Sequence, residues 1–157
     1  MAVSYPGGKS PDKAARAFAA MMRRSENLTP AMKVGAEAVT RLLQLGFTNS
    51  KSPTGLDWKE LKKATVKKRR KNSDKPLLDL ENLRKSSVAV HGARSITFGS
   101  NRKYAGFHQF GTRYIPARPF LPITAQGELT MAGPAKTVFD RIFRSVGNYI
   151  VNGKLVR

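Results

Sequence analysis

The sequence predicts an α+β fold: a small antiparallel sheet packed against N-terminal and C-terminal helices, with a proline-rich extended arm. Three observations predict it. Apolar residues recur at helical spacing near both ends of the chain, as in "SPDKAARAFAAMMRR" and "AGPAKTVFDRIFRSVGNYIVNGK". A short alternating pair, "SVAVHGARSITFGS", flanks a glycine turn in the middle. Between that pair and the last helix stands "IPARPFLPI", whose prolines at 116, 119 and 122 fix φ and remove backbone donors, so it is stiff and extended and no central strand.

Taken in order, residues 1–25 read as a flexible lead and an N-terminal helix, a candidate arm, and residues 26–157 as one α+β domain. Ser10 is placed to cap the first helix, with Pro11 at its first turn and Ala14, Phe18, Met21 and Met22 on one face. The second helix starts at Thr29 and Pro30, carries Met32, Val39, Leu42, Leu43 and Leu45, is weakened by Gly35 and ends at Gly46. Residues 47–56 read as a loop. A short helix follows, with Trp58, Leu61 and Val66 inward, and another over "PLLDLENLRKS", with Leu77, Leu78, Leu80 and Leu83 inward. The hairpin turns at residues 91–93 and points Val88, Val90, Ile96 and Phe98 to the core. In the last helix Val138, Ile142, Val146 and Ile150 face inward, flanked by Phe139, Phe143 and Tyr149.

Charge dominates the composition. Twenty-nine Lys and Arg against ten Asp and Glu leave a formal +19 over 157 residues, a surface that attracts polyanions or acidic proteins. The densest run, "KKATVKKRRK", offers Lys62, Lys63, Lys67, Lys68, Arg69, Arg70 and Lys71 as polyanion-facing residues. Phe47 and Trp58 flank the run without alternating with it, so the stacking pattern of a single-strand binder is incomplete.

The absence of cysteine excludes a disulfide scaffold and any cysteine-ligated metal. No phosphate-binding glycine loop is present, and His91 and His108 lack ligand spacing. No catalytic residue, metal or cofactor is implied. No apolar run is long enough to span a bilayer, and the reading is of a soluble protein outside the membrane.

The segment "YAGFHQFGTRYIPARPFLPI", residues 104–123, holds five Phe and Tyr, one His, two Arg, three Pro and no acid. Tyr104, Phe107 and Phe110 fit the inner face of a single helical turn or of a twisted strand, and the arm must bury Ile115, Phe120, Leu121 and Ile123 on its own domain or on a neighbour. "YAGFHQFGT…IPARPFLPI" resembles the signature of the phage virion morphogenesis and tail-completion family of contractile-tailed, Mu-like phages. "SPTGLDWKELKKATVKKR" and "KPLLDLENLRKSSVAV" are similar to its upstream segments, in the same order. Together they cover roughly residues 50–125. Where that pattern has a small pair such as Thr-Gly, this chain has Leu80-Glu81.

The resemblance implies a structural virion protein that catalyses nothing. It would form a hexameric ring at the head-proximal end of the tail, complete the tail and allow head–tail joining. Partners implied are copies of itself, neck or connector proteins, tail tube or sheath proteins, and genomic DNA in the channel; its place is the virion, and the host cytoplasm during assembly. Tyr104, Phe107, His108, Phe110, Ile115, Arg118, Phe120 and Leu121 would then pack a subunit and its neighbour. A free basic nucleic-acid-binding protein is the competing expectation, although such a protein has no evident need of the proline arm.

Overall fold

A computed structural model describes residues 11–69 and 71–155. Six helices and one hairpin follow in the order α1 (Pro11–Glu26), α2 (Thr29–Asn49), α3 (Lys63–Lys68), α4 (Asn82–Ser86), β1 (Ser87–His91), β2 (Ile96–Ser100), α5 (Ala105–Phe110) and α6 (Gly133–Asn152). The fold is α+β, as the sequence predicts, with the antiparallel hairpin and α6 both laid on α2.

Two apolar clusters share α2 as their common wall. One joins Phe47, Trp58, Leu77, Leu78, Leu83, Ala105 and Phe120. The other joins Val39, Leu42 and Leu43 of α2 to Ala135, Phe139 and Ile142 of α6, with Ala89, Ile96 and Phe98 of the hairpin against them. Leu121 packs against both. Gly35 explains itself here: a Cβ at that position would stand 2.6 Å from Ile96 Cδ1 and 3.2 Å from an Ile142 methyl. The residue that weakens α2 locally lets the hairpin and α6 close on it.

Several element boundaries differ from expectation for physical reasons. α2 runs past Gly46 to Asn49 and ends where Ser50 turns left-handed at φ 55. The extra turn buries Phe47 completely. That is worth roughly 1.5–3 kcal/mol, more than the ~1 kcal/mol that an internal glycine costs. Residues 57–62 are not the expected helix. The carbonyls of Lys59 and Glu60, which a helix would use, accept instead from the Arg118 guanidinium; the helix forms one turn later, inside the basic run.

The helix expected from Pro76 onward is confined to α4, because Leu77 and Glu81 both adopt positive φ (62 and 59). Leu80 is consequently exposed. In the hairpin, Ala89 pairs with Phe98 and His91 with Ile96, while Val88 pairs with Gly99 and Val90 with Thr97. The small Ala89, not the valines, faces α2, and its N–H donates to Thr40 Oγ1 at 3.0 Å; Val88 and Val90 are exposed. α6 turns its predicted face inward, with Ile142 buried and Val138 and Val146 against the same cluster, while its flanking aromatics divide: Phe139 is buried and Phe143 is 63% exposed.

α1 follows the predicted span, but its apolar face is open. Phe18 is 64% and Met22 53% exposed, and the helix is tied down at its C-terminal end. There Arg24 donates to the carbonyls of Ile150 and Val151 at the end of α6, both at 2.9 Å. Asn27 Oδ1 accepts from Thr29 N at the break before α2. The Ser10 cap and the lead before it lie outside the described residues.

A candidate assembly face on α5 and the proline arm

The site is built upward from one buried amide. α5 is a six-residue helix stopped by Gly111, which has φ 77 and lies where a Cβ would stand 2.8 Å from Ala117 N. Its inner face is Ala105 and Gln109, one helical turn apart and both buried. The Gln109 amide satisfies the backbone of the arm as a neighbouring strand would. Its Nε2 donates to Leu121 O (3.0 Å) and Ile123 O (3.2 Å), and its Oε1 accepts from Phe120 N (3.0 Å) and Leu121 N (2.9 Å). All four hydrogen-bonding positions of the side chain are used.

The arm is clasped from the other side as well. Trp58 Nε1 donates to Pro119 O at 2.7 Å, Arg118 donates to Lys59 O at 2.7 Å and Glu60 O at 2.8 Å, and Arg118 N donates to His108 O at 2.7 Å. Phe47 meets Trp58 edge-on at 5.5 Å and Phe120 at 5.7 Å. Three prolines supply a backbone with few donors, and the neighbours satisfy what remains. The result is a rigid base.

What this base carries outward is aromatic. Tyr104 (39%), Phe107 (56%), Phe110 (50%) and Tyr114 (79%) are all exposed, and the Arg113 guanidinium lies 5.7 Å from the Tyr114 ring centroid. Beside them a cleft of about 240 Å³ is lined by Arg69, Leu77, Asp79, Glu81, Tyr104 and His108. His108 stacks edge-on against Tyr104 at 5.8 Å, and its Nδ1 is buried without a hydrogen-bond partner. Burial first, then the positive charges of Arg118 and Arg69, lower the pKa of His108, so the imidazole is neutral at pH 7. Burial, and then Arg69, also lower that of Arg118, which stays a cation.

The residues singled out from sequence therefore divide. Tyr104, Phe107 and Phe110 do not form an inner face; they point to solvent. Arg118 and Phe120 are buried inside their own chain at 5% and 1% exposure and hold the base together, so the expectation that they pack a neighbouring subunit is corrected. Leu121 and Ile115 are half-buried. Phe47 and Trp58 are core residues with no ring available for stacking on bases. In the basic run, Lys62, Lys63, Lys67, Lys68 and Lys71 are exposed, and α3 buries nothing. Arg69 is turned back to donate to Lys75 O (2.7 Å) and Asn72 O (3.4 Å), and Arg70 lies outside the described residues. Sequence reasoning missed Gln109 altogether, although its i+4 spacing from Ala105 placed it on the buried side.

Among the described residues no group of three or more His, Asp or Glu could hold a metal ion, and no helix is long and apolar enough to cross a membrane. Fold and site define a small, basic α+β protein that presents a stiffened aromatic face. Residues 11–140 match the phage virion morphogenesis family, and the chain belongs to it. It is 34% identical over 76 residues to the Mu-like prophage FluMu G protein 2 of Haemophilus influenzae, covering 44% of this chain and 55% of that protein. To the FluMu G protein 1 of the same organism it is 32% identical over 89 residues, 52% of this chain and 58% of the relative. The chain thus spans a little over half the length of these curated relatives. No solved structure matches it. Membership of this family supports a role in phage virion morphogenesis.

Proposed function

We propose that the chain forms a ring at the head-proximal end of the tail, hexameric as such rings commonly are, which completes the tail and lets it join the filled head. The carrying observation is the exposed aromatic face of Tyr104, Phe107, Phe110 and Tyr114 on a base locked by Gln109, Arg118 and Trp58. Rings exposed together on a rigid platform lose little entropy on docking, and aromatic side chains dominate the energetics of such contacts. A head-to-tail contact repeated around an axis closes into a ring. The exposed lysines of α3 face either genomic DNA in the channel or acidic neck and tail proteins, which offset the +19 of each copy. The chain catalyses nothing in this role and passes through the host cytoplasm before it joins the particle.

The test is complementation. A Mu-like prophage lacking the gene should yield filled heads and tail tubes that fail to join on induction. The wild-type gene should restore virions, and Phe107→Ala/Phe110→Ala should not. Normal virions from the deletion would refute the proposal. The competing reading, a free nucleic-acid binder, draws on the same exposed lysines; it predicts duplex DNA affinity that falls by orders of magnitude between low and moderate salt with no effect of the aromatic substitutions.

A further inference from the structure

A second face is equipped for a partner, and it shares no residue with the α5 face. Between α2 and α6 runs a groove of about 590 Å³. Its floor is apolar, formed by Val34 and Ala38 of α2 and Ile142 of α6, and Gly35 fixes its depth by letting Ile142 close on the α2 backbone. Three cations stand along it, Lys33 and Arg41 from α2 and Arg141 from α6, all exposed, against one acid, Glu37. Lys33, Glu37 and Arg41 form one row at four-residue spacing, and beyond this ridge a shallower hollow of about 360 Å³ continues to Thr40, Ala89 and His91.

We infer that this groove is the docking site of an acidic amphipathic helix from a partner protein. An apolar floor between two helices, rimmed by charge, is the arrangement that takes the apolar stripe of a third helix. The sign of the rim chooses the occupant. Three cations and one acid leave the groove at +2, so a helix with acidic flanks is attracted and a basic one repelled. A second copy of this chain fits poorly. Its α1, a helix whose apolar face is open, carries Lys13, Arg16, Arg23 and Arg24 against Asp12 and Glu26, also +2, on a chain of +19. The floor belongs to the packed core, where Ile142 is only 8% exposed, so the site is preformed.

The experiment is a fluorescence-anisotropy titration of the full chain with a labelled synthetic helix of Glu-Leu-Leu-Glu-Glu-Leu-Leu repeats, in about 0.15 M salt. Controls are a scrambled peptide of the same composition and a peptide with Lys in place of Glu. Arg41→Glu/Arg141→Glu is compared with Lys67→Glu/Lys68→Glu, which changes net charge equally but lies in α3. The patterned acidic peptide should bind at least about tenfold tighter than the scrambled one. Arg41→Glu/Arg141→Glu should weaken it by at least about tenfold, and the α3 variant by less than about twofold. Equal loss in both variants, or equal affinity for the scrambled peptide, would mean diffuse attraction to a basic surface and overturn the inference. So would Arg41→Glu/Arg141→Glu altering the chain's own association, measured by light scattering, while leaving peptide affinity intact, which would give the groove to a second copy.

Discussion

The proline arm and α1 pose the same problem and solve it in opposite ways. Each is a segment whose apolar side chains need cover. The arm finds it within the chain: Phe120 and Pro122 are fully buried, and the backbone from 118 to 123 is bonded to Gln109, Trp58 and His108. α1 does not. Phe18 and Met22 stay exposed, and Arg24 at one end supplies the tie to α6. The difference lies in the polar anchors. Apolar residues alone do not fix a segment's position, whereas a buried side chain matched to specific backbone groups does. The arm is thus part of the body that presents the exposed aromatic face of α5, and α1 is an appendage to it.

That contrast can be broken most forcefully at Phe120. Phe120→Ala should lower the unfolding free energy by about 3–5 kcal/mol, through lost burial and a cavity against Phe47. Phe18→Ala should change it by no more than ~0.5 kcal/mol, as an exposed substitution does. Urea denaturation of the two variants side by side decides the matter. Comparable losses would mean that α1 is as integral as the arm. Next in size, Gln109→Ala should cost roughly 2–4 kcal/mol, since it strands buried backbone groups of Phe120 and Leu121. Arg24→Ala should leave the denaturation midpoint nearly unchanged and instead speed amide hydrogen exchange in α1 and at the C-terminal turn of α6.

How much of this was legible in the sequence follows the same division. The two N-terminal helices, the hairpin and the final helix announce themselves by periodicity, although in α1 and β1 the face it marks stays exposed. The aromatic face of α5 was legible as a segment and not as an orientation: Tyr104, Phe107 and Phe110 share a face, but nothing local says whether it looks in or out. Gln109 settles that, by a bond to the arm twelve residues away that no spacing rule encodes. The run 57–62 failed for a related reason. Its helical pattern is real, yet Arg118, far along the chain, takes the carbonyls first. Arg118 and Phe120, expected between subunits, turn out to be what keeps the arm on its own subunit.

His108 gives a finer probe of the base. Its pKa is lowered from the ordinary value of 6.5 in the folded chain, so below that pH the unfolded chain binds the extra proton first. Stability from this residue is fully present above about pH 6.5 and is lost as the pH falls from there toward the lowered folded value. His108→Asn should flatten that part of the stability–pH curve, as measured by thermal melts between pH 7.5 and 5. An unchanged slope would show that the imidazole is not held in the buried setting beside Arg118 and Arg69. A modest gain is expected at Glu81, held at φ 59. Glu81→Gly should raise stability by up to about 1 kcal/mol, offset in part by loss of its 3.7 Å ion pair with Arg84.

The claim that most of this depends on is that the aromatic face of α5 joins copies of the chain. Light scattering on the purified protein, at low and at high salt, tests it directly. A mass of about six subunits that survives high salt, and that falls to one subunit in Phe107→Ala/Phe110→Ala, is the predicted result. A monomer at every salt concentration, or a ring that the two substitutions leave intact, would contradict it.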